Sequence, residues 1–232
     1  FKQQVGEELP VSVAKQILPG GPKAILYLSD GQVIDLNRTI DSVIVDKHSG
    51  QEITLSKDIN ALNYSGVTGN TTQPKELAYN RIEVPRGGEY MLVLSDGTKV
   101  WLNSETRLEY PLTFGEHSRD VRLSGEAYFD VAPDKEHPFI VKTSHTSIRV
   151  TGTSFNVRAY ADEDTESTTL ISGTVRINSG NEEFELVPNQ HYTYNKNTGT
   201  NTVANVNTDL YTSWESGSFI FLNVPLENVM SY

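Results

Sequence analysis

The chain has 232 residues, no cysteine and a formal net charge of −11 at pH 7. Without cysteine it forms neither disulfides nor thiolate metal sites, and a domain of this length buries roughly 70% of its unfolded surface, enough to fold without cross-links. Its 19 basic residues are scattered among 30 acidic ones, which argues against a nucleic-acid partner because phosphate binding needs clustered Lys and Arg.

The first recognisable element is a hairpin signal that occurs twice. The sequence LSDG at residues 28–31 recurs at residues 94–97, and each copy is followed at the same distance by Leu-Asn. An Asp-Gly pair between two apolar runs favours a two-residue type I′ turn, in which both central positions have positive φ. We therefore expect residues 15–40 and 82–110 to form equivalent hairpins.

The middle of the chain alternates apolar and polar residues. From 121 to 131 the apolar side chains fall on one face of an extended segment, and the polar ones, including Glu126 and Tyr128, fall on the other. Helical periodicity is nearly absent before residue 225, and Gly-rich and Asn-rich turns separate the segments. The pattern predicts an all-β fold, a two-sheet sandwich with jelly-roll or flattened-solenoid character, whose strands mostly have one wet face.

The C-terminal end differs in composition. Residues 195–213 are rich in Asn and Thr, which predicts a linker or a sheet edge. Leu226, Val229 and Met230 are then spaced as on one face of a helix, so we expect the truncated start of a second domain. The predicted organisation is an N-terminal β region over 1–80, a main β domain over 81–210, and the start of a C-terminal domain over 211–232.

No set of catalytic or ligating residues is evident. The five histidines are not spaced as neighbouring metal ligands, and the acidic run 162–164 lacks the alternating oxygens of a calcium loop. Residues 151–155 and 86–88 only partly match nucleophile and phosphate-binding motifs. We predict no catalytic residue, no metal and no cofactor, and hence no enzyme, although a carboxylate pair for glycoside hydrolysis is assembled in space and cannot be read from sequence.

A carbohydrate-binding β-sandwich is the main alternative from the residues alone. Sugars stack on exposed aromatic side chains, and Tyr128 lies on the polar face of its predicted strand. An aromatic side chain that simply covers its own sheet would produce the same pattern. Titration with oligosaccharides would separate these two interpretations.

Several sequence blocks in the second half of the chain occur in a fixed order. Together they cover residues 80–195 and resemble the sensor domain of FecR-like anti-sigma regulators. Several independent blocks in one order are more specific than any single motif. The blocks are VPRGGEY at 84–90, LSDGT at 94–98, VWLN at 100–103, GEAYFDV at 125–131, PFIV at 138–141 and GTSFNV at 152–157, with Tyr110, Pro111, Phe114 and Arg119 between them.

This resemblance implies a single-pass bacterial inner-membrane protein. Its periplasmic part would receive a signal from a TonB-dependent outer-membrane transducer, and its cytoplasmic part would hold an extracytoplasmic-function sigma factor. The chain would then lie on the periplasmic face of the inner membrane, with the sigma-binding part and the membrane helix outside it.

The same resemblance directs attention to the C-terminal end for partner binding. The Gly and Asp residues of the blocks are turn formers that mark the fold. Residues from Trp214 onward instead resemble the start of the small α/β domain that commonly follows in this family, a domain similar to the short signalling domain of secretins and TonB-dependent receptors. The residues expected to contact the transducer are Trp214, Phe219, Phe221, Leu226, Val229 and Met230.

Overall fold

The computed structural model describes residues 21–37, 42–46, 52–56, 61–64 and 78–216. These residues form 19 strands followed by two short helices. The strands are β1 (Gly21–Pro22), β2 (Ile25–Tyr27), β3 (Val33–Asp35), β4 (Ser42–Val45), β5 (Glu52–Ser56), β6 (Ala61–Asn63), β7 (Tyr79–Val84), β8 (Gly88–Val93), β9 (Lys99–Leu102), β10 (Thr106–Pro111), β11 (Arg119–Asp130), β12 (Phe139–Lys142), β13 (Thr146–Val150), β14 (Ser154–Ala159), β15 (Thr165–Ser172), β16 (Val175–Ser179), β17 (Glu182–Leu186), β18 (Gln190–Asn195) and β19 (Thr200–Asn205). The helices are α1 (Asp209–Thr212) and a 3₁₀ turn (Ser213–Ser216).

All strands except β1, which pairs in parallel with β8, form two sheets that share β11. Sheet 1 has the order β3-β2-β7-β10-β11-β12-β13-β16-β17. Sheet 2 has the order β4-β5-β6-β8-β9-β11-β14-β15-β18-β19. Successive strand pairs alternate between the sheets, and each stacks beside the preceding pair. The predicted all-β sandwich is confirmed, and its chain path is that of a flattened solenoid because no Greek-key return is needed to order the strands.

The strand β11 crosses from one sheet to the other at Gly125. Residues before it pair with β10 and β12, whereas residues from Gly125 onward pair with β9 and β14. Gly125 has a φ of 113°, and a Cβ built on it would lie 2.5 Å from Thr106 Oγ1. Only glycine therefore satisfies both the backbone conformation and the space at this crossing.

The core lies between the two sheets and follows the predicted alternation. Apolar residues at odd positions of β11, such as Val121, Leu123 and Phe129, are buried. Phe129 lies 5.2 Å from Phe155 and 6.0 Å from Phe139, measured between ring centroids. These three rings join β11, β12 and β14 and thereby connect sheet 1 to sheet 2.

The two LSDG hairpins have the same geometry, but the predicted turn type is wrong. In each copy the glycine N–H bonds back to the leucine oxygen at 3.0 Å. Gly31 and Gly97 have φ values of 86° and 85°, whereas Asp30 and Asp96 are not among the positive-φ residues. The loop is thus a type I turn followed by a glycine with left-handed backbone conformation. Each Asp keeps negative φ, and its carboxylate stabilises the turn by accepting the backbone N–H of the residue two positions on.

The Asn-rich and Thr-rich segment forms the edge of sheet 2. Its residues build the end of β18 and all of β19, and α1 and the 3₁₀ turn follow. The predicted C-terminal α/β domain and the helical spacing at 226–230 lie outside the described residues. No helix in the described part of the chain is long and apolar enough to cross a membrane.

Candidate functional site

The outer face of sheet 2 carries a continuous row of polar and aromatic side chains, one from each of five neighbouring strands. We call this set the outer row. Their registers place them directly opposite one another across the sheet. The members are Trp101, Tyr128, Asn156, Thr169 and His191.

Two of the outer-row residues are more buried than outward-facing positions normally are. Asn156 and Thr169 are 3% and 1% exposed, although their strand neighbours face the core. Alternation alone predicts a wet face here. The C-terminal segment, defined as residues 207–216, contacts the row at His191.

The C-terminal segment contacts β18 through an aromatic stack. The rings of His191 and Tyr211 lie 4.2 Å apart between centroids, inclined by 28°. His191 Nδ1 also lies 2.8 Å from Thr169 Oγ1. Burial lowers the pKa of His191 to about 4, so the imidazole is neutral at pH 7 and shares an uncharged contact with the tyrosine ring.

Trp214 belongs to this segment and is the only predicted contact residue within the part of the chain that the structure describes. It is half-buried, and its Nε1 is a buried donor without a hydrogen-bond partner. Such a donor costs stability unless a partner accepts its proton. The other predicted contact residues, Phe219, Phe221, Leu226, Val229 and Met230, lie outside the described residues.

The aromatic pair at the other end of the row contains Tyr128, the candidate for sugar stacking. Tyr128 and Trp101 pack edge to face, with centroids 5.6 Å apart and planes inclined by 73°. Burial raises the pKa of the Tyr128 hydroxyl, and the charges of Asp130 and Glu215 act in the same direction. Glu215 thus places the end of the C-terminal segment within electrostatic range of Tyr128.

Beside the outer row, on the same face of sheet 2, lies an ionic network centred on the buried carboxylate of Glu126. This carboxylate is 4% exposed and accepts bonds from Asn103 at 2.9 Å, Asn156 at 3.0 Å and Arg158 at 2.8 Å. Burial opposes the charged guanidinium, but the hydrogen bond to Glu163 and the charges of Glu126 and Glu163 raise the pKa of Arg158. The expectation that Glu126 faces water is wrong, because these partners cover it.

A second buried ion pair ties the repeated hairpin turn to the start of β11. Arg119 is 3% exposed, and its Nη1 lies 2.6 Å from Asp96 Oδ2. The guanidinium also donates to the backbone oxygens of Ala132 at 2.9 Å and His137 at 2.7 Å. The Asp-Gly turn therefore does more than reverse the chain, since its carboxylate neutralises a buried arginine.

The buried carboxylate of Glu166 joins sheet 2 to a turn of sheet 1. Glu166 of β15 is 2% exposed and lies 2.7 Å from His145 Nδ1 in the turn between β12 and β13. Its other oxygen accepts a bond from Thr143. Among the described residues, no group of three or more His, Cys, Asp and Glu is placed to hold a metal ion.

Comparison with known proteins agrees with the sequence blocks. The family model described as FecR protein matches residues 80–176. A crystal structure of a candidate anti-sigma factor from Parabacteroides distasonis at 2.50 Å resolution is similar with a TM-score of 0.61 and 32% identity, covering 65% of this chain and 71% of that chain. A second structure from the same organism, at 1.65 Å, gives a TM-score of 0.61 and 33% identity, covering 64% and 70%. No curated protein matches the chain at a significant level.

These similarities define a class of regulatory protein. The chain belongs to the family of FecR-like anti-sigma factors. The three central partners of the ionic network, Asn103, Glu126 and Asn156, come from three different blocks of the family resemblance. The blocks thus mark residues that hold the fold together.

The contact between His191 and Tyr211 could not be predicted from the sequence. The outward direction of His191 follows from strand alternation, but nothing in the spacing pairs it with an aromatic residue of the following helix. Trp214 was singled out only through the family resemblance. The structure places both Tyr211 and Trp214 in one segment at the edge of the β domain.

Proposed function

We propose that this chain is the periplasmic part of a transmembrane anti-sigma regulator. It passes a signal by protein contact from a TonB-dependent outer-membrane transducer to an extracytoplasmic-function sigma factor held by a cytoplasmic part of the regulator. In this proposal the chain lies at the periplasmic face of the inner membrane, and the main β domain ends near Trp214.

The observation that carries the proposal is the contact of the C-terminal segment with the outer row, through Tyr211 and His191. The stack of Tyr211 on His191 joins the start of the proposed partner-binding piece to the edge of a sandwich that is stabilised by ion pairs with a buried partner. Residues 207–215 of the segment are half-buried or exposed, and none of these nine is fully buried. A contact of this kind can be remodelled without unfolding the sheets, because regions with little buried apolar surface have low local stability.

The decisive experiment is calorimetric titration with the N-terminal signalling domain of the TonB-dependent receptor encoded beside this protein. We expect saturable binding to the full-length regulator and loss of binding when residues 214–232 are deleted. Tyr211→Ala should weaken binding because the segment loses its anchor on His191. Binding that survives the deletion unchanged would place the contact elsewhere and refute this assignment.

An oligosaccharide titration under the same conditions serves as the control for the carbohydrate alternative. We expect no saturable heat. Trp101 and Tyr128 contact each other edge to face, so neither ring forms part of a shared flat platform. Saturable binding that disappears in Trp101→Ala would support a carbohydrate-binding module instead of a relay.

A further inference from the structure

In the part of the chain that the structure describes, β19 is one of the two edge strands of sheet 2, β4 being the other, and three common forms of edge protection are missing from it. Protected edges carry charged side chains, proline or a bulge that interrupts pairing. The six residues of β19 include no charge and no proline, and all six pair with β18 in an unbroken register. Among the described residues, no strand pairs with the other side of β19.

A sheet edge that is protected by charge is present in the same molecule. The strand β17 is the corresponding edge of sheet 1, and it carries three glutamates, Glu182, Glu183 and Glu185, among its five residues. One edge at this end of the sandwich is therefore protected by charge, while the neighbouring edge is left open. The difference indicates that β19 is kept available for pairing.

The register shows which backbone groups β19 presents. The N–H of Val206 donates to Asn189 O at 2.9 Å, and in an antiparallel pair the bonded positions alternate. Thr200, Thr202 and Ala204 are thus bonded to β18, whereas Asn201, Val203 and Asn205 direct their N–H and C=O groups away from it. Val203 is 41% exposed, and the outward edge of β19 at this residue is accessible to another strand.

The charges around β19 specify the kind of strand that would fit. Asn201 bonds to Glu182, Asn197 in the preceding loop bonds to Asp164 at 2.9 Å, and Asp209 follows at the start of α1. The nearby cation, Lys196, is already engaged with the backbone oxygen of Tyr160. An open edge flanked by carboxylates favours a strand with basic flanks. It disfavours a second copy of this acidic chain, because the carboxylates of the two copies would repel each other.

We propose that β19 binds an extended segment of a partner protein by strand addition, and that the segment has an uncharged centre and basic flanks. Main-chain hydrogen bonds to Asn201, Val203 and Asn205 provide the attraction, and the acidic flanks select the partner's charge. This surface is distinct from the C-terminal segment. The inference therefore stands even if the proposed transducer contact fails.

The test uses the peptide Lys-Thr-Val-Thr-Val-Thr-Lys as the probe and the complete isotope-labelled chain as the target. We expect saturable changes in the backbone amide signals of Asn201, Val203 and Asn205, with a dissociation constant of about 0.1–1 mM. A peptide with proline at the central position lacks one N–H and should bind at least about tenfold more weakly. A peptide with glutamate at both ends should bind at least about threefold more weakly at low salt.

Variants of the protein provide the matched controls. Val203→Pro removes an outward N–H without breaking the ladder to β18, since proline is tolerated at such edge positions, and it should abolish the signal changes. Val203→Thr keeps the N–H and should preserve them. The proposal is overturned if the amides of β19 do not respond at about 5 mM peptide, if the proline peptide binds equally well, or if sedimentation shows that β19 pairs with a second copy.

Discussion

Glu126 is a charged residue on the outer side of a sheet that is nevertheless buried. It is covered by Asn103, Asn156 and Arg158, which satisfy both carboxylate oxygens. A buried carboxylate is tolerated only when such partners replace water. Asn103 directly follows β9, and Asn156 and Arg158 both belong to β14, so Glu126 of β11 links these two flanking strands on the outer face.

Removing this carboxylate should therefore be costly. Glu126→Ala leaves Arg158 with only Glu163 as an acidic partner and should lower the free energy of unfolding by about 3 kcal/mol. Chemical denaturation measures this directly. Glu109→Ala is the matched control, because Glu109 pairs with Arg107 on a more exposed face, and its loss should cost less than about 1 kcal/mol. Equal effects of the two substitutions would contradict the network's role.

His191 makes stability depend on pH. Its pKa falls from an ordinary 6.5 to about 4 in the folded chain because of burial. The unfolded chain therefore takes up a proton at higher pH than the folded chain, and folding stability is lost as the pH falls from about 6.5 to about 4. The contribution of this group over the window is about 2 kcal/mol, since one pKa unit corresponds to about 1.4 kcal/mol and the ring is partly exposed.

The pH dependence can be isolated by substitution. His191→Gln keeps a hydrogen-bonding group beside Thr169 but does not titrate, so its unfolding free energy should change less between pH 6.5 and pH 4 than that of the unmodified chain. His117→Gln is the control, because His117 is exposed, and it should leave the profile unchanged. If both variants follow the unmodified chain, His191 is not the titrating group.

At the scale of elements, β11 is the strand on which the two-sheet arrangement depends. Its change of sheet at Gly125 requires positive φ and leaves no room for a side chain. Gly125→Ala should therefore lower the free energy of unfolding by about 3 kcal/mol or more. Gly97→Ala is the control, since Gly97 has positive φ but no neighbouring atom near its Cβ position, and it should cost about 1 kcal/mol. Comparable losses would mean that the contact with Thr106 relaxes easily.

Sequence patterns predicted the existence of the elements better than their surroundings. Alternation identified β11 and its core face. The two LSDG turns have the same geometry, but the hairpin β2–β3 lies in sheet 1 and the hairpin β8–β9 lies in sheet 2, so the expected equivalence holds only for the turn itself. The turn type was wrong because Asp-Gly fits two kinds of loop, and only the number of loop residues separates them. The burial of Glu126 was missed because alternation assigns a side chain to a face but does not show what covers that face.

For the molecule as a whole, the sandwich and the family were predictable, whereas the contact of the C-terminal segment was not. Family blocks recur in order along the chain, so they could be recognised without coordinates. The stack of Tyr211 on His191 depends on how the chain turns after β19, which no local pattern encodes. All six predicted contact residues, Trp214 included, stay predictions, as do the boundaries of the three predicted regions.

The alternating path of the hairpins also determines how the molecule would respond to mechanical load. In the described part of the chain, β19 pairs only with β18, and the two strands are antiparallel. A pull on the C-terminal segment therefore separates the hydrogen bonds between β19 and β18 one after another from one end. The strand β18 can follow, and then β15. β11 has neighbours on both sides in both sheets and yields last. Tension at the C-terminal end would thus unzip the sandwich in steps. The first step removes the contacts of His191 with Tyr211 and β19, and the second removes β18 with His191 itself, while the centre stays folded.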